Sequence, residues 1–504
     1  MSSIGDRHAG DLSGRLSSPG FGSNVSIRVA GEFAGYRSTK HLVWMLLNLL
    51  ARQPGEIQGI ELHYPSDIPA GPDISPLFLP GADFAAAALR AIDRINPGVV
   101  GTDADAASRI IVRIGLGAIE PSEFSIAVSA DHWSGYVGSE PATVLTDSSN
   151  PIGAYVGASL GAGEIFKFVR KVRDDEAETP WSLWLNAHTL EVGSVLTESP
   201  ALPAITVLPP TTLAGVGAVG NGFLQTLYSL PGVCGSITAV DGDPDGVTET
   251  NLNRYVMFDR THVESLHMKA STVAEMFLGK SLRIVPFDED WQAAVSLPQF
   301  VLGDVVISAV DRNGARHAIQ DAMPGKIIGG ATNELRLQVN LYEVFDPESV
   351  CLKCRNKVEI EGLPDDLIVE HLQNLSPDDL ERAANKMCVE LDGLIEFLAD
   401  PKTNCGKIKG ESLQKFAASG DTDFSVGFVS FLAGILLCAE YLKQVTSAEP
   451  RMSLSRNQYR FQFWRPGHSK ANRMTTVPPE EGCMCRSEIY QYAIGIERGK
   501  RVQG

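Results

Sequence analysis

The sequence predicts an α/β protein with two domains in tandem, and three observations carry that expectation. Apolar strand-like runs alternate with helical periodicity along both halves of the chain, each half closes on a long helix dense in small residues, and 504 residues exceed what one hydrophobic core fills.

Residues 1–24, "MSSIGDRHAGDLSGRLSSPGFGSN", are Ser/Gly-rich and lack the apolar core of a signal peptide, so they read as a mobile tail of a cytoplasmic protein. The first domain is expected over 25–196. "VSIRVAG" (Val25–Gly31) is a strand, "TKHLVWMLLNLLAR" (Thr39–Arg52) an apolar-periodic helix, and "IQGIELHYP" a second strand. The alternation continues through "DFAAAALRAIDRIN" and "RIIVRIGLGAI", which predicts a parallel sheet with helical crossovers. It closes on "NPIGAYVGASLGAGEIFKFVRK" (Asn150–Lys171), and a Thr-, Pro- and Leu-rich linker follows over 197–210.

The second domain, 211–504, opens with "TTLAGVGAVGNGFLQTLYSL", then the strand "GSITAVD", the helix "HMKASTVAEMFL" and the strands "SLRIVPF" and "GDVVISAVD". Its small-residue helix, "FSVGFVSFLAGILLCAEYLKQV" (Phe424–Val445), ends as the first one does: Glu440-Tyr-Leu-Lys443 matches Glu164-Ile-Phe-Lys167. The match reads as an internal repeat of two related domains packed as a pseudo-symmetric pair; the alternative is two unrelated helices with a common ending.

Composition bounds the function. With 44% apolar and 21% charged residues the chain has material for packed cores. Its most apolar stretch, Val426–Leu442, contains Glu440 and precedes Lys443, which suits a core helix and not a membrane span. The balance of 43 basic against 61 acidic side chains, −18, argues against nucleic acid as the main partner.

The chemistry-bearing stretch begins at "GVGAVG", where Gly215, Gly217 and Gly220 sit between a strand and a helix. Glycines there permit a tight turn and let backbone N–H groups approach a phosphate, although such a motif also serves simply as a turn. The next strand ends at Asp241 in "DGDPD", where a carboxylate can accept ribose hydroxyls. A dinucleotide enzyme would look the same so far. It would not need "NLNR" (Asn251–Arg254), Lys269 and Asp311. Arg254 and Lys269 suit the charge of a triphosphate, and Asp311 is the ligand type that Mg²⁺ takes beside phosphates.

With these residues the sequence resembles the ThiF/MoeB and ubiquitin-activating adenylating enzymes. The resemblance rests on GxGxxG, a D-x-D, N-L-N-R, a Lys-Ala opening a helix (Lys269, Ala270), and Asp311 with Arg316 five residues on, in the family's order from Gly215 to Arg316. It implies two Rossmann-like adenylation-type domains, the N-terminal one inactive and the C-terminal one active. It implies ATP and Mg²⁺ as cofactors and adenylation of the C-terminal carboxylate of a ubiquitin-like protein. By the same resemblance Gly215, Gly217 and Gly220 cradle phosphates, Asn251, Asn253, Arg254 and Lys269 line them, and Asp311 holds Mg²⁺. Strand hydrophobicity favours Asp241 for the ribose, whereas counting back eleven residues from Arg254 favours Asp243. Tyr255 stands where the family usually has Gln, and the cradle lacks the common double Gly.

Of the eight cysteines, Cys234 and Cys438 read as buried residues and six carry candidate roles. Cys351 and Cys354 form CxxC and Cys483 and Cys485 form CxC, so four thiolates can meet in a structural Zn²⁺ site that pins the C-terminal segment. Relatives carry such a zinc, more often with CxxC at both positions. In the ubiquitin-activating enzymes that the chain resembles, a loop before the equivalent helix carries the cysteine of a thioester step. The resemblance implies Cys405, in "DPKTNCGKIKG" among lysines 402, 407 and 409 that favour a thiolate, with Cys388, after a helix start at Ser376-Pro377, or no covalent step as the alternatives. Residues 356–423 would be the insert that carries it. The inactive half would complete the scaffold and lend an arginine, Arg28 or Arg37.

The resemblance extends to single-chain activating enzymes of bacterial ubiquitin-like conjugation operons, some tied to antiviral defence. The function expected is activation of a ubiquitin-like protein and its transfer to a conjugating-enzyme-like partner. The alternative is a sulfur-carrier adenylyltransferase without an obligatory thioester. A third reading, from another class, is a scaffold that binds nucleotide or a ubiquitin-like protein without turnover; intact Arg254, Lys269 and Asp311 count against it.

Overall fold

A computed structural model describes residues 22–503 except 80, 102–107, 118–123, 143, 172–180, 266, 357–364, 376, 388, 400–425, 447–451, 454 and 469–470. The chain divides into a large unit (Met1–Asp311, Ala315–Arg355, Phe424–Gly504) and a small one (Arg312–Gly314, Asn356–Asp423).

The first sheet of the large unit holds β1 (Ser23–Val29), β2 (Ile57–His63), β3 (Ser108–Ile114), β4 (Phe124–Asp131), β5 (Ser134–Gly138), β6 (Ser182–Asn186) and β7 (Val192–Gly193), in the order β2-β1-β3-β4-β5-β6-β7. The second holds β8 (Thr206–Val207), β9 (Thr211–Ala214), β10 (Val233–Val240), β11 (Leu282–Phe287), β12 (Val305–Ser308), β13 (Lys326–Asn333), β14 (Arg336–Glu343), β15 (Gln458–Gln462) and β16 (Arg473–Thr475). Its order is β11-β10-β9-β12-β13-β14-β15-β16, with β8 beside β10. The helices are α1 (Arg37–Ala51), α2 (Phe84–Ile95), α3 (Ile152–Val169), α4 (Ala218–Ser229), α5 (Arg260–Glu264), α6 (Lys269–Met276), α7 (Trp291–Val295), α8 (Asn313–Asp321), α9 (Leu352–Arg355), α10 (Asp365–Gln373), α11 (Pro377–Met387), α12 (Leu391–Ala399), α13 (Gly427–Thr446) and α14 (Glu488–Gln503).

The two sheets share a plan. The strand order β2-β1-β3-β4-β5 is repeated as β10-β9-β12-β13-β14, with α1 and α4 as the matching crossovers. Each sheet is parallel over β2-β1-β3-β4 or β11-β10-β9-β12-β13 and turns antiparallel at a two-residue turn, where no crossover is needed; β5–β6 and β14–β15 are antiparallel too, with α3 and α13 between them in the chain. His132 and Trp133 make that turn in the first sheet and Glu334 and Leu335 in the second, with φ 39° at His132 and 50° at Glu334. The sheets are therefore mixed, not wholly parallel. Two boundaries also move. Ser23 and Asn24 belong to β1, with the Ser23 N–H donating to the Glu56 carbonyl at 2.8 Å, and residues 206–207 of the expected linker pair with β10.

Both closing helices are core. α3 and α13 pack on each other, α3 also on α1 and α13 on α4, and nearly all their residues are buried. The matching tetrapeptides become two buried ion pairs one turn from each helix end: Lys167 to Glu164 at 2.6 Å and Lys443 to Glu440 at 2.7 Å. The Lys443 ammonium also donates to the His188 carbonyl of the first half at 2.9 Å. α13 is long and apolar enough to cross a membrane by composition, and 89% of that stretch is buried inside the protein. Glycines let α13 and α4 touch. A Cβ on Gly434 would lie 2.5 Å from the Val219 carbonyl and 2.7 Å from the Gly222 Cα.

The small unit is helical, α10 to α12, around Ile368, Leu372, Met387, Leu394 and Phe397. Cys388, Cys405 and Ser376 lie outside the described residues.

Because the obstacles at Gly434 are backbone atoms, Gly434→Ala is expected to destabilise by about 1–3 kcal/mol through overpacking. A denaturant midpoint unchanged from the parent would contradict this close crossing.

Candidate nucleotide site and cysteine centre

The glycine turn is built by close approach. Gly215 has φ 91°, and a Cβ there would meet the Ala309 carbonyl at 2.8 Å, so only glycine lets the end of β9 pass the loop after β12. A Cβ on Gly220 would lie 2.1 Å from the Gly215 carbonyl oxygen, so the first turn of α4 lies directly over the loop. Gly217 is different. It is the N-cap of α4, no side chain caps it, and its surroundings are open except for the Tyr255 hydroxyl at 3.6 Å from a Cβ. The unsatisfied N–H groups of that helix start are what an anion would meet.

Asp241 and Asp243 divide the work after β10. One Asp241 oxygen accepts the Val216 N–H at 2.7 Å and the other the Asp243 N–H at 3.3 Å, so this carboxylate braces the glycine turn. Burial raises its pKa, opposed by Lys269 and the backbone donors. Asp243 is the more open, with 40% of its side chain exposed against 8% for Asp241. Lys269, the first residue of α6, donates to Asp243 at 2.5 Å and lies 3.6 Å from Asp241. Burial alone would lower its pKa, but Tyr255, Asp241 and Asp243 together raise it, so the ammonium stays charged.

Tyr255 lies close to both cations. Its ring lies 5.7 Å from the Arg254 guanidinium and 5.5 Å from the Lys269 ammonium, and the side chain is buried. Arg254 donates to the Asn253 side chain at 3.3 Å. Asn251 accepts the Thr248 N–H at 3.0 Å and closes a capping box, so it shapes the turn that presents Arg254. Asp311 is exposed on the loop after β12, and Arg316 donates to the Val310 carbonyl of that loop at 3.0 Å. The structure thus gathers Gly215, Gly217, Asp241, Asp243, Arg254 and Lys269 around Tyr255 and the start of α4, with Asp311 on the neighbouring loop.

Asn221, which the sequence reading did not single out, ties the pieces together. Its amide donates to the carbonyls of Val216 at 2.8 Å and Gly217 at 3.2 Å, and its oxygen accepts the Met257 N–H at 3.3 Å. Of the two arginines expected from the first half, Arg37 does not fit the part assigned to it. Arg37 pairs with Asp73 at 3.0 Å and reaches the Ser229 carbonyl, at the far end of α4, a helix of 12 residues and about 18 Å. Arg28 bonds Ser26 within β1. Among the described residues, side chains of the first half that bond around the N-L-N-R region include Asn48, Arg52 and Arg94. Asn48 donates to the Val256 carbonyl at 3.0 Å, Arg52 to those of Leu252 and Phe258 at 2.6 and 2.7 Å, and Arg94 to the buried Asp259 carboxylate at 2.7 Å.

The cysteine pairs meet. Cys351 lies 3.6 Å from Cys354 and 3.7 Å from Cys483, Cys354 lies 3.6 Å from Cys485, and all four sulfurs fall within 4.8 Å of one another. Tetrahedral zinc with thiolates at about 2.3 Å requires sulfurs about 3.8 Å apart, so the cluster can hold the ion. The centre joins α9 to the short turn before α14, and Gln320 bridges the same elements, donating to the Tyr490 hydroxyl at 2.7 Å and accepting the Leu352 N–H at 3.0 Å.

A model of the ThiF family matches residues 211–485. An uncharacterised protein of Sinorhizobium fredii, y4jF, is 24% identical over 449 residues, covering 84% of each chain. Among solved structures, Escherichia coli MccB with AMPCPP and MccA aligns at TM-score 0.36 and 11% identity, over 72% of this chain and 98% of that one. MccB with ATP aligns at 0.35 and 12%, over 72% and 98%. PaaA aligns at 0.31 and 16%, over 53% and 73%.

Metal analysis of the purified protein is expected to find one zinc per chain, and Cys354→Ser to lose it together with several degrees of thermal midpoint. Zinc-free protein of parental stability would refute the assignment. The Asp259 carboxyl, although burial alone would raise it, is held well below its ordinary value by His262, Thr261 and Arg94. A depressed pKa means a contribution fully present above about pH 4 and lost on acidification below it. Asp259→Asn is therefore expected to lose about 2 kcal/mol at pH 7 and less at pH 3, measured by urea unfolding at both.

Proposed function

The chain belongs to the ThiF family, and on that premise we propose that it uses ATP and Mg²⁺ to adenylate the C-terminal carboxylate of a ubiquitin-like protein. The observation that carries the reading is the pair of cations, Arg254 and Lys269, flanking Tyr255 beside the uncapped start of α4. That arrangement suits a triphosphate better than a dinucleotide, whose pyrophosphate needs only backbone amides.

In this reading Gly215, Gly217 and Gly220 bring the backbone to the phosphates, and Asn251 and Asn253 hold Arg254 toward them. Asp243 takes the ribose, because its carboxylate is the more open of the two, whereas Asp241 is buried against the glycine turn and braces it through Val216. Lys269 shifts from Asp243 toward phosphate when nucleotide enters. Asp311 is the carboxylate for Mg²⁺, which would neutralise phosphate oxygens. The carboxylate of the partner attacks the α-phosphorus in line, forming the acyl adenylate and releasing pyrophosphate. No general base is required, since the nucleophile is ionised at neutral pH. The cations act by neutralising charge that develops on the phosphate oxygens.

The second step we propose is transfer of the activated protein to a cysteine, Cys405 before Cys388, and then to a conjugating-enzyme-like partner. The support is the position of both residues in the insert, among lysines that favour a thiolate at Cys405.

The test is pyrophosphate exchange with ATP, Mg²⁺ and the candidate ubiquitin-like protein, followed by gels with and without reductant. Arg254→Ala is expected to lower exchange about 100- to 1000-fold, the range for losing one preorganised charge-stabilising donor. A reductant-sensitive adduct should vanish in Cys405→Ala; its persistence there removes Cys405 as nucleophile. Exchange without any adduct favours a sulfur-carrier adenylyltransferase.

A further inference from the structure

We infer that Arg52, with Asn48 one turn before it on α1, is the positioning residue that sets the N-L-N-R segment in its nucleotide-binding shape. The half of the chain without a glycine turn would then be a working part of the site. The inference rests on reading that segment as nucleotide-binding.

The segment Asn251–Phe258 runs buried with little regular structure, and its internal turns use the Asn251 and Tyr255 carbonyls. The buried carbonyls of Leu252, Val256 and Phe258 take their partners from α1 and its C-cap residue Arg52, and a buried carbonyl without a partner is costly. Arg52 bridges two of them, six residues apart, while Asn48 takes the third. The Asn48 oxygen also accepts the Arg52 Nε–H at 2.6 Å, which fixes the direction of the fork.

Arg52 is completely buried, and its charge is answered by carbonyl dipoles and by Asp259, not by a carboxylate in direct contact. Burying such a cation is unfavourable compared with a well-packed apolar side chain, so bulk stability is a poor account of its presence. Position is a better one. Arg254 and Tyr255 lie between two anchored carbonyls, those of Leu252 and Val256. On the other side, Met257 binds Asn221, and Asn221 holds the Val216 and Gly217 carbonyls. The hydrogen bonds therefore run from α1 through the segment to the glycine turn.

A second contact between the halves serves as control. Lys280 pairs with Asp73 at 2.5 Å and stacks on Tyr228, at the far end of α4. The experiment measures Mg-ATP binding by calorimetry, steady-state constants for exchange, and thermal midpoints for Asn48→Ala, Arg52→Lys and Lys280→Ala in the full chain. Asn48→Ala and Arg52→Lys are expected to weaken ATP binding tenfold or more and to raise the KM for ATP, with the KM for the protein substrate unchanged. Lys280→Ala should keep parental ATP affinity at an equal or larger loss of midpoint. On an Arg254→Ala background, Asn48→Ala should cost no further affinity, because residues acting through one another are not additive. Should Arg52→Lys fail to fold, Asn48→Ala alone decides. Parental ATP affinity in Asn48→Ala, or losses in all variants that track the midpoint alone, would overturn the inference. A parent that binds ATP but shows no exchange removes the adenylation reading and leaves the positioning role to the binding data. A parent that binds no ATP removes both.

Discussion

The structure depends on the mutual burial of α3 and α13. Both are apolar around most of their circumference, and such a helix is stable only when covered on all sides. Each finds cover on its own sheet, on the crossover helix of its own half, and on its counterpart from the other half. Residues of both halves therefore join in one hydrophobic cluster within the large unit. Glycines at the crossing points allow backbones to touch, and the Glu–Lys pairs near the helix ends satisfy the charges that burial would otherwise strand.

That shared core makes the site a property of both halves. The glycine turn, Asp241, Asp243 and Lys269 come from one Rossmann-like sheet and its helices. The carbonyls around Arg254 are held by a helix of the other. The consequence is a division among charges: Arg52 is sealed in a cage of carbonyls and fixes backbone, whereas Lys269 sits between two carboxylates and a phenol with its charge maintained. Lys269 and Arg254 lie 5.5 and 5.7 Å from the Tyr255 ring, whose face attracts cations.

The cysteine centre works at the opposite scale. It joins two chain segments more than a hundred residues apart through four sulfurs, and Gln320 and Tyr490 continue the seam into the α14 contact. A small cross-link of this kind can hold α14, whose buried side chains among the described residues are Tyr490 and Ile494.

Much of this was legible in the sequence, because it is local. A glycine turn between a strand and a helix, a carboxylate at a strand end, and cysteines two or three residues apart each specify geometry through short-range backbone constraints, and so did the tetrapeptides that end α3 and α13. What the sequence left open was decided by contacts between residues far apart in the chain. Nothing in "DGDPD" tells which aspartate braces the turn; the approach of Val216 to Asp241 decides that. Nothing in "LLNLLAR" tells that Asn48 and Arg52 will meet carbonyls two hundred residues on, or that Arg37 will face the wrong end of α4. Those assignments exist only once two sheets and their closing helices have packed, because a buried polar side chain takes its role from whichever unpaired backbone group the fold brings to it.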